Sequence, residues 1–330
     1  MPPHPPSGEQ HEIRDGDQEV VVAEVGATLR AYSASGLDVL DGFSIDERSS
    51  AGRGQVLAPW PNRLDGGRYA FDDRPGAAAI DEPELGNAIH GLVRWLPWEL
   101  ASKSGEAVAL ACVLHPQPAY PWRLELGLEY RVAGDGLEVV ARATNASAEA
   151  APFGIGFHPY LTMGIPVDDV RLTIPASRRV TTDDRALPVG EEDVAGTEFD
   201  FTVGRTVGAT RLDTCFTGLA RGSDGRSRVR LESADGERGV EIWADEAFGY
   251  LQAYTGDTLE PASRRRQAVA IEPMTCPPNA FASGVDVIRL EPGASWSGTW
   301  GITPPATAAE RPSNGAGADF GWTALRAADG

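Results

Sequence analysis

Cysteine is scarce in this sequence, and its placement argues against two ways of stabilising a fold. The 330 residues contain only Cys112, Cys215 and Cys276, which lie far apart and form no CxxC pair. A disulfide framework needs an even, closely spaced set of cysteines, and a structural zinc site needs close ligand pairs. We therefore expect neither disulfides nor a bound metal.

Positive charge is also in short supply. The chain has 29 Lys and Arg against 48 Asp and Glu, a net charge of −19. Nucleic-acid binding needs a basic face, and the one tight basic run is the arginine triplet at residues 264–266, which we interpret as a solvated loop. We expect no nucleic-acid partner, and the acidic balance also disfavours a phosphorylated substrate.

Long apolar segments are missing as well. No stretch approaches the roughly 18 apolar residues of a membrane-spanning helix. The N-terminus, MPPHPPSGEQHE, has neither the basic start nor the apolar core of a signal peptide. We expect a soluble cytoplasmic protein with no membrane partner, either a monomer or a homodimer.

Helical periodicity is absent over any length beyond about three turns, and a period of two takes its place. Apolar residues alternate with polar ones over 124–130 and again over 137–143, on either side of Gly134-Asp135-Gly136. This pattern predicts a β-hairpin, and residues 229–233 and 240–243 predict another. With 38 Gly and 25 Pro for turns, the economical fold is all-β, a large antiparallel β-sandwich.

Composition shifts near both ends of the chain. Residues 1–10 are polar and proline-rich, and residues 304–330 are dominated by Pro, Ala, Gly and Ser. We expect flexible tails at both ends. No polar linker interrupts the middle, so residues 11–303 are expected to form a single domain.

Common catalytic motifs are lacking too: there is no GxxxxGK[ST], HExxH or GxSxG. What remains is a set of polar residues in apolar surroundings. Glu272 follows the run Ala-Val-Ala-Ile at what we take as the end of a buried strand, where a carboxylate is costly unless it is paired or used. Arg63 and Asp213 are similar, and each could be an ordinary surface charge. His90 and His158 lie in apolar segments, where a lone histidine is usually a core residue.

Five segments together resemble, in order, the motifs of the aldose 1-epimerase (mutarotase) family. They are APWPNRL (58–64), AIHGL (88–92), GFHPYL (156–161), RLD (211–213) and AIEPMTCPPNAF (270–281). The PWPNR and EPMTCPPNAF forms look like those of a bacterial mutarotase-like branch. The resemblance implies a galactose mutarotase-like β-sandwich (supersandwich) that uses no metal or organic cofactor.

The resemblance also implies roles for individual residues. Glu272 corresponds to the catalytic base that takes the proton of the C1 hydroxyl, and His158 to the general acid that protonates the ring oxygen. His90, Arg63 and Asp213 correspond to residues that contact the sugar, and Asn62 lies beside Arg63 in the same motif. Their ordinary pKa values, about 4.3 for Glu and about 6.5 for His, predict an ionised Glu272 that keeps more of His158 protonated.

Tryptophan is comparatively plentiful, with eight residues. Sugar faces pack on indole rings, so Trp60, Trp95 and Trp243 are candidates for substrate contact, although any one tryptophan is more often a core residue.

The function expected is therefore interconversion of the α and β anomers of a free aldose. One alternative is a hexose-6-phosphate 1-epimerase, for which the arginines at 264–266 are the only local hint. A second is a non-catalytic carbohydrate-binding protein on the same fold. The combination of His158 and Glu272 argues against the second alternative, because binding alone needs no acid–base pair.

Overall fold

The computed structural model describes residues 4–236 and 238–304. Within these residues the chain is built almost entirely of β-strands. The strands of the N-terminal half are β1 (Gln10–Asp15), β2 (Gln18–Ala23), β3 (Thr28–Ala34), β4 (Leu37–Asp38), β5 (Val56–Leu57), β6 (Arg63–Asp65), β7 (Arg68–Phe71), β8 (Arg74–Ala77), β9 (Asn87–Ile89), β10 (Glu99–Lys103), β11 (Ala107–Leu114), β12 (Leu124–Ala133), β13 (Gly136–Asn145), β14 (Ala151–Phe153), β15 (Gly156–Phe157) and β16 (Tyr160–Leu161).

The remaining strands are β17 (Arg171–Thr173), β18 (Ala176–Thr182), β19 (Pro188–Asp193), β20 (Arg205–Thr206), β21 (Asp213–Leu219), β22 (Ser227–Glu232), β23 (Gly239–Ala244), β24 (Tyr250–Tyr254), β25 (Val269–Met274), β26 (Ile288–Leu290) and β27 (Ser295–Thr303). In the described part of the chain the α-helical structure is a single turn, α1 (Ala280–Ser283), and two short 3₁₀ turns cover Val167–Asp169 and Ala262–Arg264.

Two large sheets dominate the architecture. The nine-stranded sheet has the order β10-β11-β12-β13-β27-β23-β22-β17-β20. The eight-stranded sheet has the order β19-β18-β21-β24-β25-β15-β5, with β16 also paired to β25. Neighbouring strands pair antiparallel in both. Strands β1 to β4 form a smaller N-terminal sheet.

Both hairpins expected from the alternating pattern are confirmed. Strands β12 and β13 pair from Leu124 opposite Asn145 to Ala133 opposite Gly136, and β22 pairs with β23. The leucines of β12 are buried and the residues between them are more exposed, as expected for strands with one face on a core.

Aromatic side chains join the two large sheets. Phe157 of the eight-stranded sheet packs against Trp300 of the nine-stranded sheet, with ring centroids 5.0 Å apart. Phe248 contacts both Phe157 and Trp296, so the contact continues along the interface. The sheets therefore bury their facing surfaces in one core, which confirms the expected all-β antiparallel sandwich.

The two expected tails differ in what the structure describes. Within residues 1–10, Ser7 is buried, its carbonyl accepts a hydrogen bond from the Val25 backbone N–H, and Gln10 begins β1. The boundary expected at residue 10 thus lies inside a packed segment, because backbone pairing starts earlier than the composition suggests. The last described strand ends at Thr303, and residues 305–330 lie outside the described part. Across the described residues, every helix is too short or too polar to cross a lipid bilayer.

Candidate active site

One cavity brings together all six of the site residues other than tryptophan that are expected from the sequence. It has a volume of about 560 Å³ and opens to solvent beside the eight-stranded sheet. The predicted residues on its wall are Asn62, Arg63, His90, His158, Asp213 and Glu272. They come from five separate segments of the chain, so only the folded sandwich assembles them.

Glu272 projects from the middle of β25, not from its end. The strand continues through Pro273 to Met274, so the expected strand ending at Ile271 is too short. Glu272 is only 2% exposed. Its Oε1 lies 3.4 Å from Nε2 of His158, while its Oε2 has no hydrogen-bond partner among the described residues. A buried carboxyl group with this little compensation is costly for the fold.

His158 lies between β15 and β16, where packing surrounds its ring. The ring of Tyr160 is stacked against it at 5.0 Å and 16°, and His90 meets it edge-on at 5.4 Å. On a further side the backbone of Gly52 comes so close that a Cβ there would lie 2.4 Å from Cδ2 of His158. Gly52 has φ +73°, which glycine adopts most readily.

Burial drives both members of the pair toward their uncharged forms. It raises the pKa of the Glu272 carboxyl well above its ordinary value; the charge of Asp213 adds to this, and that of Arg63 opposes it. Burial also lowers the pKa of His158 to about 3, with the residue's own backbone carbonyl opposing and Arg53 and Arg94 reinforcing the decrease. The expectation that Glu272 keeps more of His158 protonated is therefore not met, because desolvation of the imidazole outweighs the attraction between the two groups.

His90 and Asn62 hold each other through the backbone. The Asn62 N–H donates to Nδ1 of His90 at 3.2 Å, and the His90 N–H donates to the Asn62 carbonyl at 2.9 Å. Both residues have positive φ, +55° for Asn62 and +63° for His90. Because Nδ1 accepts, and burial keeps the pKa of His90 well below its ordinary value, the ring proton is on Nε2. His90 is thus a fixed hydrogen-bond donor.

Arg63 begins β6 and is held by two carboxylates. Its Nε donates to both oxygens of Glu82 at 3.0 Å, and its Nη2 donates to Asp213 at 3.4 Å. Asp213 also accepts a 2.6 Å hydrogen bond from the amide of Gln252, the residue that pairs with Glu272 across β24 and β25. A charged, hydrogen-bonded wall of this kind suits a ligand rich in hydroxyl groups.

Of the three candidate tryptophans, only Trp95 lies on the wall of the cavity. Trp95 is 48% exposed and lines the cavity. Trp60 is a core residue packed on Phe281. Trp243 lies in β23 of the nine-stranded sheet, with the guanidinium of Arg226 3.6 Å from its ring. The structure contradicts the expected sugar contact of Trp243, because its ring is buried away from the cavity wall.

Sequence reasoning missed several neighbours of the site. Glu82, Arg94 and Tyr254 line the cavity, yet each stands in a loop or strand with no local pattern that sets it apart. The arginine triplet is not a solvated loop: Arg264 binds Asp41 and the Gly42 carbonyl, Arg265 pairs with Glu260, and Arg266 binds Asp257 and the Gly208 carbonyl. None of the described residues form a group of three or more His, Cys, Asp or Glu placed to bind a metal ion together.

Comparison with known proteins gives the same family as the motifs. The family model described as aldose 1-epimerase matches residues 9–303. The protein YihR of Escherichia coli (strain K12) is 32% identical over 289 residues, covering 87% of this chain and 90% of that protein.

Solved structures share the fold at lower identity. An aldose epimerase homologue from C. elegans superposes with a TM-score of 0.80 at 20% identity, covering 89% of this chain and 98% of that one. A galactose 1-epimerase from Lactobacillus acidophilus NCFM gives a TM-score of 0.75 at 19% identity, covering 89% and 94%. With the family model matching nearly the whole described chain, this protein belongs to the aldose 1-epimerase family.

Proposed function

We propose that the protein is an aldose 1-epimerase that interconverts the α and β anomers of a free aldose. The observation that carries the proposal is the buried pair of His158 and Glu272, 3.4 Å apart, on the wall of a cavity of about 560 Å³. Opening a cyclic hemiacetal needs one proton removed from the C1 hydroxyl and one delivered to the ring oxygen. Two adjacent titratable groups supply both transfers.

In the proposed mechanism the one proton of the pair first moves from Glu272 to His158 as the sugar binds. The resulting carboxylate then takes the proton of the C1 hydroxyl while the imidazolium gives its proton to the ring oxygen. The bond between C1 and the ring oxygen breaks and C1 becomes an aldehyde. Rotation about C1–C2 presents the other face, and the reverse transfers close the ring. The pair holds one proton in total throughout. Burial stabilises its uncharged form, which is the protonation state that follows ring opening.

The remaining cavity residues are proposed to hold the sugar. His90 donates from Nε2, Asn62 and Arg63 offer further donors, and Asp213 accepts from hydroxyl groups. Trp95 presents an exposed indole face on the same wall, a suitable surface for the apolar face of a pyranose.

A free sugar is favoured over a sugar phosphate. Charge-assisted hydrogen bonds from arginine are the strong way to hold a phosphate. The arginines at 264–266, the sequence hint for phosphate binding, instead bind carboxylates and carbonyls of their own chain. The PWPNR and EPMTCPPNAF forms support placing the chain in a bacterial mutarotase-like branch of the family.

Catalysis is favoured over sugar binding alone. A binding protein gains nothing from burying Glu272 with an unpartnered oxygen, whereas a proton-transfer site needs a carboxyl group with a perturbed pKa.

The substrate class is tested by polarimetry and exchange NMR with α-glucose, α-galactose and glucose 6-phosphate. We expect a larger kcat/KM on at least one free hexose than on glucose 6-phosphate, because the arginines at 264–266 are already bound to carboxylates of the same chain. A higher kcat/KM on the phosphate would replace the free-aldose assignment, and no acceleration of any sugar over buffer would contradict catalysis.

Replacing the proposed base by its amide, Glu272→Gln, should lower the rate of anomer interconversion by about 10²-fold or more, because the amide matches the carboxyl in shape but accepts no proton. The exposed substitution Glu125→Gln serves as the control and should leave the rate unchanged. A Glu272→Gln protein that keeps most of the wild-type rate excludes Glu272 as the base.

The same variant should become more stable than the wild type as the pH rises. The folded-state pKa of Glu272 lies above its ordinary value, so the wild type loses stability as the pH passes through that pKa and the buried carboxyl ionises. The amide does not ionise. Thermal unfolding of both proteins from about pH 4, near the ordinary pKa of Glu, to alkaline pH measures the difference. A gap that stays constant with pH would show that Glu272 does not ionise abnormally.

The pH profile of kcat/KM should be broad. The active pair holds one proton, so activity falls when it gains a second or loses the last. With the pKa of His158 at about 3 and that of Glu272 raised, the acid limb belongs to His158 and the basic limb to Glu272, the reverse of the ordinary order. After subtraction of the buffer rate, kcat/KM should not fall as the pH drops from about 7 to about 5. A fall near the ordinary histidine pKa contradicts this assignment.

Crowding the proposed acid should also slow the reaction. In Gly52→Ala the new Cβ would meet Cδ2 of His158 at 2.4 Å, so the imidazole must move, and we expect a rate loss of about tenfold or more. Gly36→Ala is the matched control: its φ is +74° and nothing lies within 4 Å of its added Cβ. Both variants carry a backbone strain of about 1–2 kcal/mol, so equal rates in the two would show that the contact with His158 is not needed.

A further inference from the structure

Arg53 is a buried cation beside the site that the proposed chemistry does not use. It is 2% exposed and belongs to the loop before β5. Its Nε donates to the Asp41 carbonyl at 2.8 Å and its Nη2 to the Asp41 carboxylate at 2.9 Å. Its guanidinium carbon lies 4.4 Å from the centre of the Tyr160 ring. Guanidinium groups stack on aromatic faces in this way, so Arg53 restrains the position of that ring.

Tyr160 in turn restrains His158. The two rings are stacked at 5.0 Å and 16°, and the Tyr160 hydroxyl is anchored by donating to the Ala51 carbonyl at 3.0 Å. A catalytic histidine is usually oriented by a hydrogen bond at the ring nitrogen that does not react. Nδ1 of His158 has no hydrogen-bond partner on any other described residue; the residue's own backbone carbonyl acts on the ring electrostatically without a well-formed hydrogen bond. The orientation of the His158 imidazole must therefore be fixed by packing against neighbouring rings.

We propose that Arg53 is a positioning residue, which fixes the imidazole of His158 for proton transfer by holding the ring of Tyr160 against it. The proposal rests on the proposed role of His158. Arg53 itself touches no reacting atom in this assignment. It acts through a contact chain in which Asp41 holds the guanidinium, the guanidinium holds Tyr160, and Tyr160 holds His158.

The charge of Arg53 adds a second effect. The charged and titratable groups around His158 are Glu272, His90, Tyr160, Arg94 and Arg53. Arg53 and Arg94 both lower the pKa of His158, in addition to the larger effect of burial. Removing the charge of Arg53 should therefore raise the pKa of His158 toward its ordinary value. A residue too far away for its charge to act on the imidazole would leave this pKa where it is, so the shift reports that Arg53 lies beside His158.

The test compares two arginines that bind the same carboxylate. Arg53 and Arg264 both pair with Asp41, but the described contacts place only Arg53 over Tyr160. Arg53→Met should lower kcat by about tenfold to a hundredfold, the cost of a misplaced catalytic group, and change KM by no more than about threefold. Arg264→Met should leave both constants within about twofold. An equal kcat loss in the two variants would show that both act through Asp41 and overturn the proposal.

Histidine titration by NMR, in the protein without sugar, gives a readout independent of catalysis. The pKa of His158, assigned with His158→Asn, should rise in Arg53→Met and stay at its wild-type value in Arg264→Met. Arg53→Lys keeps the charge but loses the planar guanidinium, so its His158 pKa should match the wild type while its kcat falls. If Arg53→Met does not fold, the lysine variant still decides: a wild-type kcat in Arg53→Lys overturns the positioning role.

Failure of this proposal is distinguishable from failure of the proposed function. If Glu272→Gln is inactive while both Arg53 variants keep the wild-type kcat and His158 pKa, the enzyme assignment stands and the role of Arg53 falls. If the wild type accelerates no sugar, the kinetic measurements lose their basis, and an unmoved His158 pKa in Arg53→Met then counts against the placement of the Arg53 charge beside His158.

Discussion

Burying Glu272 and His158 away from water costs free energy, and the rest of the fold must offset that cost. Each is almost fully buried, and each has a polar atom with no hydrogen-bond partner among the described residues. Such groups persist in a fold only when the surroundings hold them firmly. Two packed sheets provide that: Glu272 is a residue of β25, inside the eight-stranded sheet, and Phe157, the neighbour of His158, is locked against Trp300 of the opposite sheet.

Rigid strands and irregular backbone share the work of building the site. Glu272 and Asp213 lie on paired strands, where register sets their spacing. His90, Asn62 and Gly52 lie in loops with positive φ, a conformation that strands do not offer. These turns bring backbone atoms close to the imidazoles, which fixes the tautomer of His90 and crowds the ring of His158. The sheets hold the carboxylates in fixed positions, and the loops bring backbone atoms close to the two imidazole rings.

Sequence reasoning succeeded where the signal was local or carried by a motif. Alternation predicted the hairpins of β12–β13 and β22–β23, and five motifs predicted six residues of the cavity wall. It failed where the answer depended on distant partners. The roles of Glu82 and Asp41 can be recognised only once their ion pairs with Arg63 and Arg53 are known. The position of Trp243 away from the cavity follows from the place of β23 in the nine-stranded sheet. The protonation of the pair was predicted in the wrong direction, because ordinary pKa values ignore burial that no sequence pattern measures.

The ion pairs of Arg63 and of the arginine triplet at 264–266 join residues far apart in the sequence, which bears on how the chain folds. Arg264 bonds to Asp41, 223 positions away, Arg266 bonds to Asp168, 98 positions away, and Arg63 reaches Asp213 across 150 positions. Contacts this distant close only after long loops have been ordered, which makes folding slow. The cavity wall draws on segments from Asn62 to Glu272, so it is complete only when these segments have come together. During synthesis a ribosome-bound chain has no complete site until β25 has emerged and joined strands made much earlier.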